Sequence, residues 1–397
     1  MDDLYDIIKN YGRPKSIIDY PINQKGKKLI FSFEETIYLD CNLNMFINNQ
    51  KINGNYLDIW QDYINKWKSE TKENDIAALG FFSYDFKNLL YPEYKFRKNP
   101  NTKTPYFWFG KPQKVIDTDG YKYNFKPQVL RLKRNLEDLK DFKNKIKEIK
   151  KHLYSGDVYQ INYTQPLIFD FSGDPLHLYM QIKKTANPKY GFYIDTNQSQ
   201  FLSFSPEKFF TKKSNIISSY PIKGTINKIK NKEEAQIKKL SSSKKDKAEH
   251  LMIVDLLRND IGKISKAKSV KVNNLFSIKT FETIHHMETE VQGELKTSIS
   301  EIEIIKSLFP GGSITGAPKY RAVQIIDKLE NYNRNLYTGC IGSIQGNGDM
   351  DFNICIRTMS INNNIASYPV GGGIVWDSDP KNENLEAREK ANILRYE

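Results

Sequence analysis

Short apolar segments with the composition of β-strands recur along the chain, and they limit what it can fold into. Residues 29–38 and 76–84 are rich in aromatic and β-branched residues, which favour strands. Two further segments, 192–196 and 201–205, flank the turn-forming pair Asn197-Gln198 and predict a hairpin. Residues 106–117 predict another hairpin, in which the strands 106–109 and 114–117 pair. We therefore expect much antiparallel sheet.

Helices are predicted between these strands. Residues 56–67 and 136–154 have apolar side chains at helical spacing, and Gly156 follows the second segment as a stop signal. Ser300 and Glu303 form the pattern of a capping box for a short helix that ends before Pro310. The chain thus combines helices with antiparallel strands.

The length and the cysteines indicate the class of protein. At 397 residues the chain can bury a large core without disulfides or a structural metal. Its three cysteines, Cys41, Cys340 and Cys355, lack the spacing of a metal site or disulfide framework, which indicates a reducing compartment. The N-terminus has no signal-peptide pattern, and no apolar run is long enough to span a membrane. We therefore expect a cytoplasmic protein with no membrane partner.

The positive charge leaves one alternative class open. Sixty Lys plus Arg against 47 Asp plus Glu give a net charge of +13, which is compatible with a nucleic-acid surface. The lysines are spread along the chain, and no recognised nucleic-acid module accompanies them. We expect no nucleic-acid partner. A basic nucleic-acid-binding protein stays the alternative from another class, which salt-sensitive binding would reveal.

The segment 221–225, Pro-Ile-Lys-Gly-Thr, is the strongest candidate for chemistry. Its proline fixes one backbone torsion, and its glycine allows close approach of a ligand. A lysine amine attacks carbon only when it is neutral, and burial lowers its pKa enough for that. Lys223 is therefore a candidate nucleophile, and Glu207, sixteen residues upstream, is its candidate acid. From this segment alone, a surface lysine would be the simpler interpretation.

Two pairs of carboxylates suggest a metal ion. Asp246 and Glu249 are three residues apart, as are Glu383 and Glu386, so each pair lies on one face of a helix. Lys390 follows the second pair by one turn. Oxygen ligands from two helices suit Mg²⁺, with water and substrate as its remaining ligands. Each pair by itself is more often a solvated helix face.

Two further features are typical of anion recognition. Arg357, in a strand predicted over 350–360, is a candidate clamp for a carboxylate. The glycines 371–373 interrupt another strand, which weakens it unless something must approach the backbone closely.

Together these segments resemble the chorismate-utilising enzymes. The resemblance is dense from about residue 135 to the C-terminus, and residues 80–85 are similar to the family's N-terminal signature. It implies an α+β fold in which two large antiparallel β-sheets pack as a sandwich, with helices outside and the site in the cleft between the sheets. It also implies an N-terminal part, 1–130, intertwined with a chorismate-binding catalytic part, 131–397. The matching segments are 205–207, 221–225, 248–260, 309–319, 337–342, 351–358 and 371–390.

Two positions distinguish the members of this family. Isochorismate and salicylate synthases are expected to carry a water-activating lysine where this chain has Gln160, and anthranilate synthases have alanine where it has Lys223. The resemblance therefore implies the branch that converts chorismate and ammonia to 4-amino-4-deoxychorismate, on the route to para-aminobenzoate and folate. An anthranilate-forming enzyme of tryptophan biosynthesis is the nearest alternative.

The resemblance also implies roles for individual residues. Lys223 would form a covalent intermediate with the substrate ring, while Glu207 helps the ring hydroxyl leave. Mg²⁺ would be bound by Glu249 and Glu386, with Asp246 and Glu383 close by. The implied substrate-binding residues are Gln160, Gly224, Thr225, His286, Thr315, Tyr337, Arg357, Gly371, Gly372, Gly373 and Lys390.

A second protein is expected to supply the ammonia. The chain has no nucleophile elbow with cysteine of the kind that a glutaminase needs, so the resemblance implies a glutamine amidotransferase (glutaminase) subunit as partner.

Overall fold

A computed structural model describes residues 2–20, 26–97, 102–229, 232–280 and 284–397. Within these ranges, the strands are β1 (Asp2–Asp3), β2 (Ser16–Ile18), β3 (Lys27–Leu39), β4 (Met45–Ile47), β5 (Gln50–Ile52), β6 (Ile76–Phe82), β7 (Phe107–Thr118), β8 (Tyr121–Lys122), β9 (Arg131–Arg134), β10 (Gln160–Asp170), β11 (Tyr190–Asp195), β12 (Gln200–Ser205), β13 (Lys208–Lys213), β14 (Ile216–Ser219), β15 (Ile222–Asn227), β16 (Lys271–Thr280), β17 (Ile284–Glu294), β18 (Gly316–Ala317), β19 (Cys340–Gln345), β20 (Met350–Ile354), β21 (Thr358–Asn362) and β22 (Ile365–Ile374).

Helices connect and flank these strands. They are α1 (Leu4–Tyr11), α2 (Tyr56–Glu70), α3 (Lys87–Leu90), α4 (Leu139–Tyr154), α5 (Pro175–Ala186), α6 (Glu233–Ser242), α7 (Lys244–Ile264), α8 (Glu301–Leu308), α9 (Lys319–Leu329) and α10 (Pro380–Glu389), with 3₁₀ turns at Tyr84–Phe86 and Gly312–Ile314. Among the described residues, no helix has the length and apolar character needed to cross a bilayer.

The strands form one large antiparallel system. All described strands except β1 and β8 are linked by hydrogen-bonded ladders into a network that closes on itself. β1 and β8 pair with each other in parallel. The ladders β2–β11 and β6–β19 join strands from either side of residue 130. The predicted α+β class with large antiparallel sheet is confirmed, and the division into two parts at residue 130 stays a prediction.

Aromatic side chains pack where the strands face each other. Phe81 of β6 contacts Phe201 of β12 with ring centroids 4.8 Å apart. On the other side of β6, Trp60 of α2 packs against Phe82 and Phe109. Each fully buried side chain of this size stabilises the fold by about 1.5–3 kcal/mol. The N-terminal strands and α2 therefore share a core with the rest of the chain.

Several local predictions are confirmed. The helix predicted over 56–67 is α2, and the hairpin predicted around Asn197-Gln198 is β11–β12. α4 begins at Leu139 because the side chain of Asp138 caps it, accepting a hydrogen bond from the amide of Asp141 at 2.8 Å. The capping box of Ser300 and Glu303 is present at the start of α8.

Two strand predictions are wrong. Residues 106–117 do not form a hairpin, because 107–118 is the single strand β7, paired along its length with β3. Pro112 has no amide hydrogen to donate, and the ladder accommodates it through register shifts beside Phe33. The strand predicted over 350–360 is broken after Ile354 and resumes as β21, with Arg357 in the left-handed region at a φ of 50°.

Replacement of Trp60 by alanine should destabilise the fold by about 3–5 kcal/mol, because it leaves a cavity between α2 and β6. Chemical denaturation monitored by circular dichroism measures this change. Trp376, which is 55% exposed, is the matched control, and its replacement by alanine should cost at most about 0.5 kcal/mol. Equal losses for the two variants would contradict the assignment of Trp60 to the core.

Candidate active site

The site lies where two neighbouring strands change partners. The breaks are at residues 206–207, between β12 and β13, and at 355–357, between β20 and β21. Because β12 pairs with β21 while β13 pairs with β20, the two breaks lie opposite each other. Glu207 stands at one break and Arg357 at the other, and both line the same cavity. The interruption of the ladders thus delivers an acid and a cation to one place.

Two cavities of about 200 and 830 Å³ meet at this point. Glu207, Ser313 and Tyr337 line the smaller cavity, and Asp246, Glu249 and Glu383 line the larger one. The residues common to both are Ile222, Lys223, Arg357, Gly373, Glu386 and Lys390. Lys223 therefore lies between the acid Glu207 and the carboxylates of α7 and α10.

A bulge in β15 sets the position of Lys223. Lys223 lies opposite Met287 of β17 and Thr225 lies opposite His286, with a register shift at Gly224 between them. Gly224 has a φ of 70°, which favours glycine, and a side-chain carbon there would lie 3.1 Å from the Asp246 side chain. Glycine at 224 thus allows β15 to bend next to α7.

The lysine side chain occupies a space that glycine keeps open. A methyl group on Gly373 would lie 3.3 Å from the Nζ atom of Lys223 and 2.9 Å from the Nε2 atom of Gln160. Burial lowers the pKa of Lys223, and the positive charge of Lys390 acts in the same direction. Glu249 and Glu207 oppose this change. The result is an amine that loses its proton more readily than an ordinary lysine.

Glu207 is shifted in the opposite direction. It is 8% exposed, and burial raises its pKa to about 7. The hydroxyl of Ser313 donates a hydrogen bond to its Oε1 atom at 2.9 Å, which lowers the pKa, as do the positive charges of Lys223 and Lys189. A carboxyl group with this pKa is protonated often enough near neutral pH to act as a general acid.

Ser313 was not predicted from the sequence. It lies in the glycine-rich segment 309–319, which by itself does not indicate a bond to a residue more than one hundred positions earlier. Only the fold brings the 3₁₀ turn Gly312–Ile314 next to Glu207.

Gln160 has an unusual environment for a buried amide. Its side chain is fully buried on β10, and neither its Oε1 nor its Nε2 atom has a hydrogen-bond partner among the described residues. Gln160 itself lines neither cavity, but buried polar groups are nearly always paired, so an unpaired amide next to Gly373, which lines both, is a candidate for contact with a ligand. Gln160 is adjacent to Gly373 and so to Lys223.

Five carboxylates line the larger cavity, namely the four predicted metal ligands and Glu389. Burial raises the pKa of Glu249 and of Glu383, and the charge of Glu386 raises both further. Lys390 forms an ion pair with Glu386 at 2.7 Å, and Asp246 lines the cavity beside Glu249. The donors are all oxygen atoms, which fits Mg²⁺ in chemistry.

The spacing of these carboxylates does not define an ion site as it stands. Within the described part of the chain, no three His, Cys, Asp or Glu side chains are arranged to hold one ion. Side-chain movement, with release of Glu386 from Lys390, would be needed to bring the oxygens together. The magnesium ion therefore stays a prediction.

The other predicted substrate-binding residues differ in which cavity they line. Tyr337, Arg357, Gly371, Gly372, Gly373 and Lys390 line the smaller cavity, and Gly224 and Thr225 line the larger one. His286 and Thr315 line neither. His286 lies on β17 with its Nε2 atom 3.5 Å from Glu288, and the hydroxyl of Thr315 donates to the carbonyl of Gly311 at 2.8 Å.

A buried amine with a lowered pKa and a buried acid line one cavity, with cations and strand amides around them, and they define an enzyme site for a small anionic substrate. The family of chorismate binding enzymes matches residues 23–396. The chain belongs to this family, and the resemblance found in its motifs is confirmed.

Individual relatives with similar sequences are aminodeoxychorismate synthases and anthranilate synthases. Aminodeoxychorismate synthase component 1 of Escherichia coli K12 is 39% identical over 252 residues, which cover 63% of this chain and 56% of the relative. The protein of that name from Bacillus subtilis 168 is also 39% identical, over 64% of this chain and 54% of the relative. Anthranilate synthase component 1 of Saccharolobus solfataricus is 36% identical, over 63% and 60%. The matches thus span little more than half the length of these relatives.

Solved structures match over nearly the whole chain. Anthranilate synthase component I from Streptococcus pneumoniae has a TM-score of 0.82 and 25% identity, covering 94% of this chain and 93% of that one. An isochorismate synthase structure from Bacillus anthracis, with a TM-score of 0.74 and 19% identity over 98% and 97%, has the same fold.

Replacement of Ser313 by alanine should raise the pKa of Glu207 above about 7, because the hydroxyl stabilises the charged carboxylate. The protonated carboxyl band in infrared spectra, assigned by its loss in Glu207→Gln, would then disappear at a higher pH than in the unmodified protein. Ser307→Ala is the control, since Ser307 bonds to the carbonyl of Asp260 and not to Glu207. An unchanged titration in Ser313→Ala would contradict the assigned bond.

Proposed function

We propose that this chain converts chorismate and ammonia to 4-amino-4-deoxychorismate. The observation that carries the proposal is the pair of opposite pKa shifts in one cavity, which favours the neutral amine of Lys223 and the protonated carboxyl of Glu207. The relatives named aminodeoxychorismate synthase component 1 support it. Relatives named anthranilate synthase make anthranilate formation the second candidate.

The first chemical step joins the lysine to the substrate. The neutral Nζ atom of Lys223 forms a bond to the ring carbon beside the one that bears the carboxylate. Both ring double bonds shift by one position, and the bond from the ring to the hydroxyl oxygen breaks. Glu207 gives its proton to this oxygen, which leaves as water.

The second step releases the lysine. Ammonia forms a bond to the carbon that carried the hydroxyl, both double bonds shift back, and the bond to Nζ breaks. The electron pair returns to Lys223, and the ring carries an amino group in place of the hydroxyl. Covalent catalysis thus divides one difficult substitution into two allylic ones.

Chorismate has two carboxylates, and the site offers cations and amides for both. Arg357 lines both cavities, and its guanidinium makes no ion pair within the described ranges of the chain. Tyr337 and the strand segment 371–373 lie in the smaller cavity with it and would hold the pyruvyl carboxylate. Lys390, whose ammonium donates to the carbonyl of Gly371 at 2.7 Å, would lie near the ring carboxylate.

Glu249 and Glu386 would hold Mg²⁺, with Asp246 and Glu383 close by. When bound, the ion would neutralise the ring carboxylate and keep the substrate in place. The neighbouring carboxylates that raise the pKa of Glu249 support a cation there, because they repel each other without one.

The ammonia would come from a glutamine amidotransferase subunit, and the complex would work in the cytoplasm. The words "component 1" in the relatives' names support a partner subunit.

Incubation of the protein with chorismate, Mg²⁺ and ammonium should give a product that a separate lyase converts to para-aminobenzoate. Liquid chromatography with mass spectrometry identifies the product. Direct release of fluorescent anthranilate would assign the second candidate function instead.

Replacement of Lys223 by alanine should reduce aminodeoxychorismate formation by several orders of magnitude, because the covalent step is lost. Lys238→Ala, at an exposed position on α6, should leave the rate unchanged. Mass spectrometry should also find a chorismate-derived adduct on Lys223 in the unmodified protein. An unchanged rate and product in Lys223→Ala would remove the covalent step from the mechanism.

The variants Glu249→Gln and Glu386→Gln should each raise the Mg²⁺ concentration needed for half-maximal activity by about tenfold or more, because each removes a charged oxygen ligand. The rise in melting temperature on addition of Mg²⁺ should shrink in the same variants, which tests binding apart from activity. Glu148→Gln, on the exposed face of α4, is the control. A response to Mg²⁺ like that of the unmodified protein would locate the ion elsewhere.

A further inference from the structure

Arg334 is a buried cation that lies outside the two cavities. It is 2% exposed and follows α9 in the loop that leads to Tyr337. Its counter-ion is Glu330, which accepts hydrogen bonds from Nε at 2.9 Å and from Nη2 at 2.7 Å. A guanidinium at this depth is retained only with full pairing of its donors, so its remaining hydrogen bonds show what it holds.

Those remaining bonds reach three elements of the site. Nη2 donates to the carbonyl of Asn162 at 2.6 Å, and Nη1 donates to the carbonyl of Ile314 at 3.0 Å and to the hydroxyl of Thr338 at 3.2 Å. Asn162 lies two residues after Gln160 on β10. Ile314 directly follows Ser313, and Thr338 directly follows Tyr337.

The surroundings of Arg334 hold it in place. Glu330 also accepts hydrogen bonds from the amide and the hydroxyl of Thr164, on the same strand as Asn162. The ring of Tyr84, in the N-terminal half of the chain, covers the guanidinium at 4.7 Å. The planar group therefore has a fixed orientation, which a flexible ammonium would not have.

We propose that Arg334 is a positioning residue for the reaction, which sets the relative placement of Gln160, Ser313 and Tyr337 around the substrate. It touches neither the substrate nor Lys223. It acts by holding one backbone or hydroxyl oxygen beside each of these residues, and through Ser313 it acts on the acid Glu207. This inference rests on the proposed function.

Lysine is the informative substitution. It keeps a positive charge beside Glu330, so the buried carboxylate is not left unpaired. Its three donors on one nitrogen do not reproduce the fork of five N–H groups that bonds Asn162, Ile314 and Thr338 together. R334K thus separates the charge of Arg334 from its geometry.

R334K should lower kcat with chorismate, Mg²⁺ and ammonium by about 10- to 100-fold, the effect of a small misplacement of reacting groups. Arg321→Lys, which changes an arginine of α9 that pairs with Asp157, should keep the unmodified kcat and KM. Glu301→Gln, which loosens a buried ion pair with Lys68 at the start of α8, shows how stability loss by itself affects the rate.

The titration of Glu207 separates positioning from stability. If R334K displaces Ser313, the protonated Glu207 band in infrared spectra should persist to a higher pH than in the unmodified protein, as in Ser313→Ala. Lys223 and Lys189, the charged groups that face Glu207, are unchanged in both variants. A lower melting temperature with unchanged kcat, KM and Glu207 titration would overturn the proposal.

If R334K does not fold, Thr338→Val tests the hydrogen bond between Arg334 and Thr338. It removes the hydroxyl that accepts from Arg334 and donates to the carbonyl of Tyr337 at 2.6 Å, so KM for chorismate should rise while the Glu207 titration stays unchanged. An unchanged KM would overturn the link to Tyr337. If the unmodified protein does not turn over chorismate, the proposed function fails, and the Glu207 titration in R334K still decides whether Arg334 positions Ser313.

Discussion

Removal of water from one amine and one carboxyl in the same cavity is the interaction on which the proposed chemistry depends. Burial disfavours the charged form of each group, so it lowers the pKa of Lys223 and raises that of Glu207. Their mutual attraction opposes both shifts, and it is outweighed because Glu207 keeps a pKa of about 7 in spite of the lysine. The result is an amine that loses its proton more readily than an ordinary lysine, next to a carboxyl that keeps its proton to a higher pH than an ordinary glutamate. In open solvent the same two groups would be an ordinary ion pair with neither property.

The sheet creates this dry space by interrupting itself. At residues 206–207 and 355–357 the regular ladder stops, although the carbonyls of Glu207 and Arg357 still accept hydrogen bonds from the amides of Ile354 and Phe204. Pro206 lacks an amide hydrogen, and Arg357 takes the left-handed conformation. The two neighbouring segments therefore leave the ladder opposite each other. Beside the break, Gly371 pairs with Thr164 so closely that a side-chain carbon would lie 2.1 Å from the carbonyl oxygen of Tyr163. Glycine at 371 thus allows the backbones of β10 and β22 to approach closely beside the cavity.

Local elements and chemically distinctive residues can be predicted from the sequence. Features that depend on contacts between segments far apart in the chain cannot. The hairpin around Asn197-Gln198 and the helix α2 follow from composition and spacing. Gly110-Lys111-Pro112 has the composition of a turn. The β3–β7 ladder nevertheless accommodates the proline through register shifts, so β7 continues as one strand. Lys223 and Glu207 were paired from their residue types, whereas their common cavity is a property of the fold. Ser313 and Arg334 were missed because a hydroxyl bond to Glu207 and a buried guanidinium bonded to three distant segments leave no local pattern in the sequence.

The cluster of four carboxylates links the acid–amine pair to the rest of the site. Asp246, Glu249, Glu383 and Glu386 lie round one cavity with Glu389, and the partial burial of Glu249 and Glu383 makes negative charge there costly. Two lysines partly neutralise that charge, since Lys390 pairs with Glu386 at 2.7 Å and Lys245 lies 3.9 Å from Glu249.

A divalent cation would compete with both lysines for the same oxygens. Displacement of Lys390 from Glu386 would leave its ammonium free beside the glycine strand, where a substrate carboxylate is expected. Because the Lys390 charge also lowers the pKa of Lys223, any movement of Lys390 changes the protonation of the nucleophile. If a cation binds here as proposed, cation binding, substrate binding and activation of Lys223 would be coupled through one side chain.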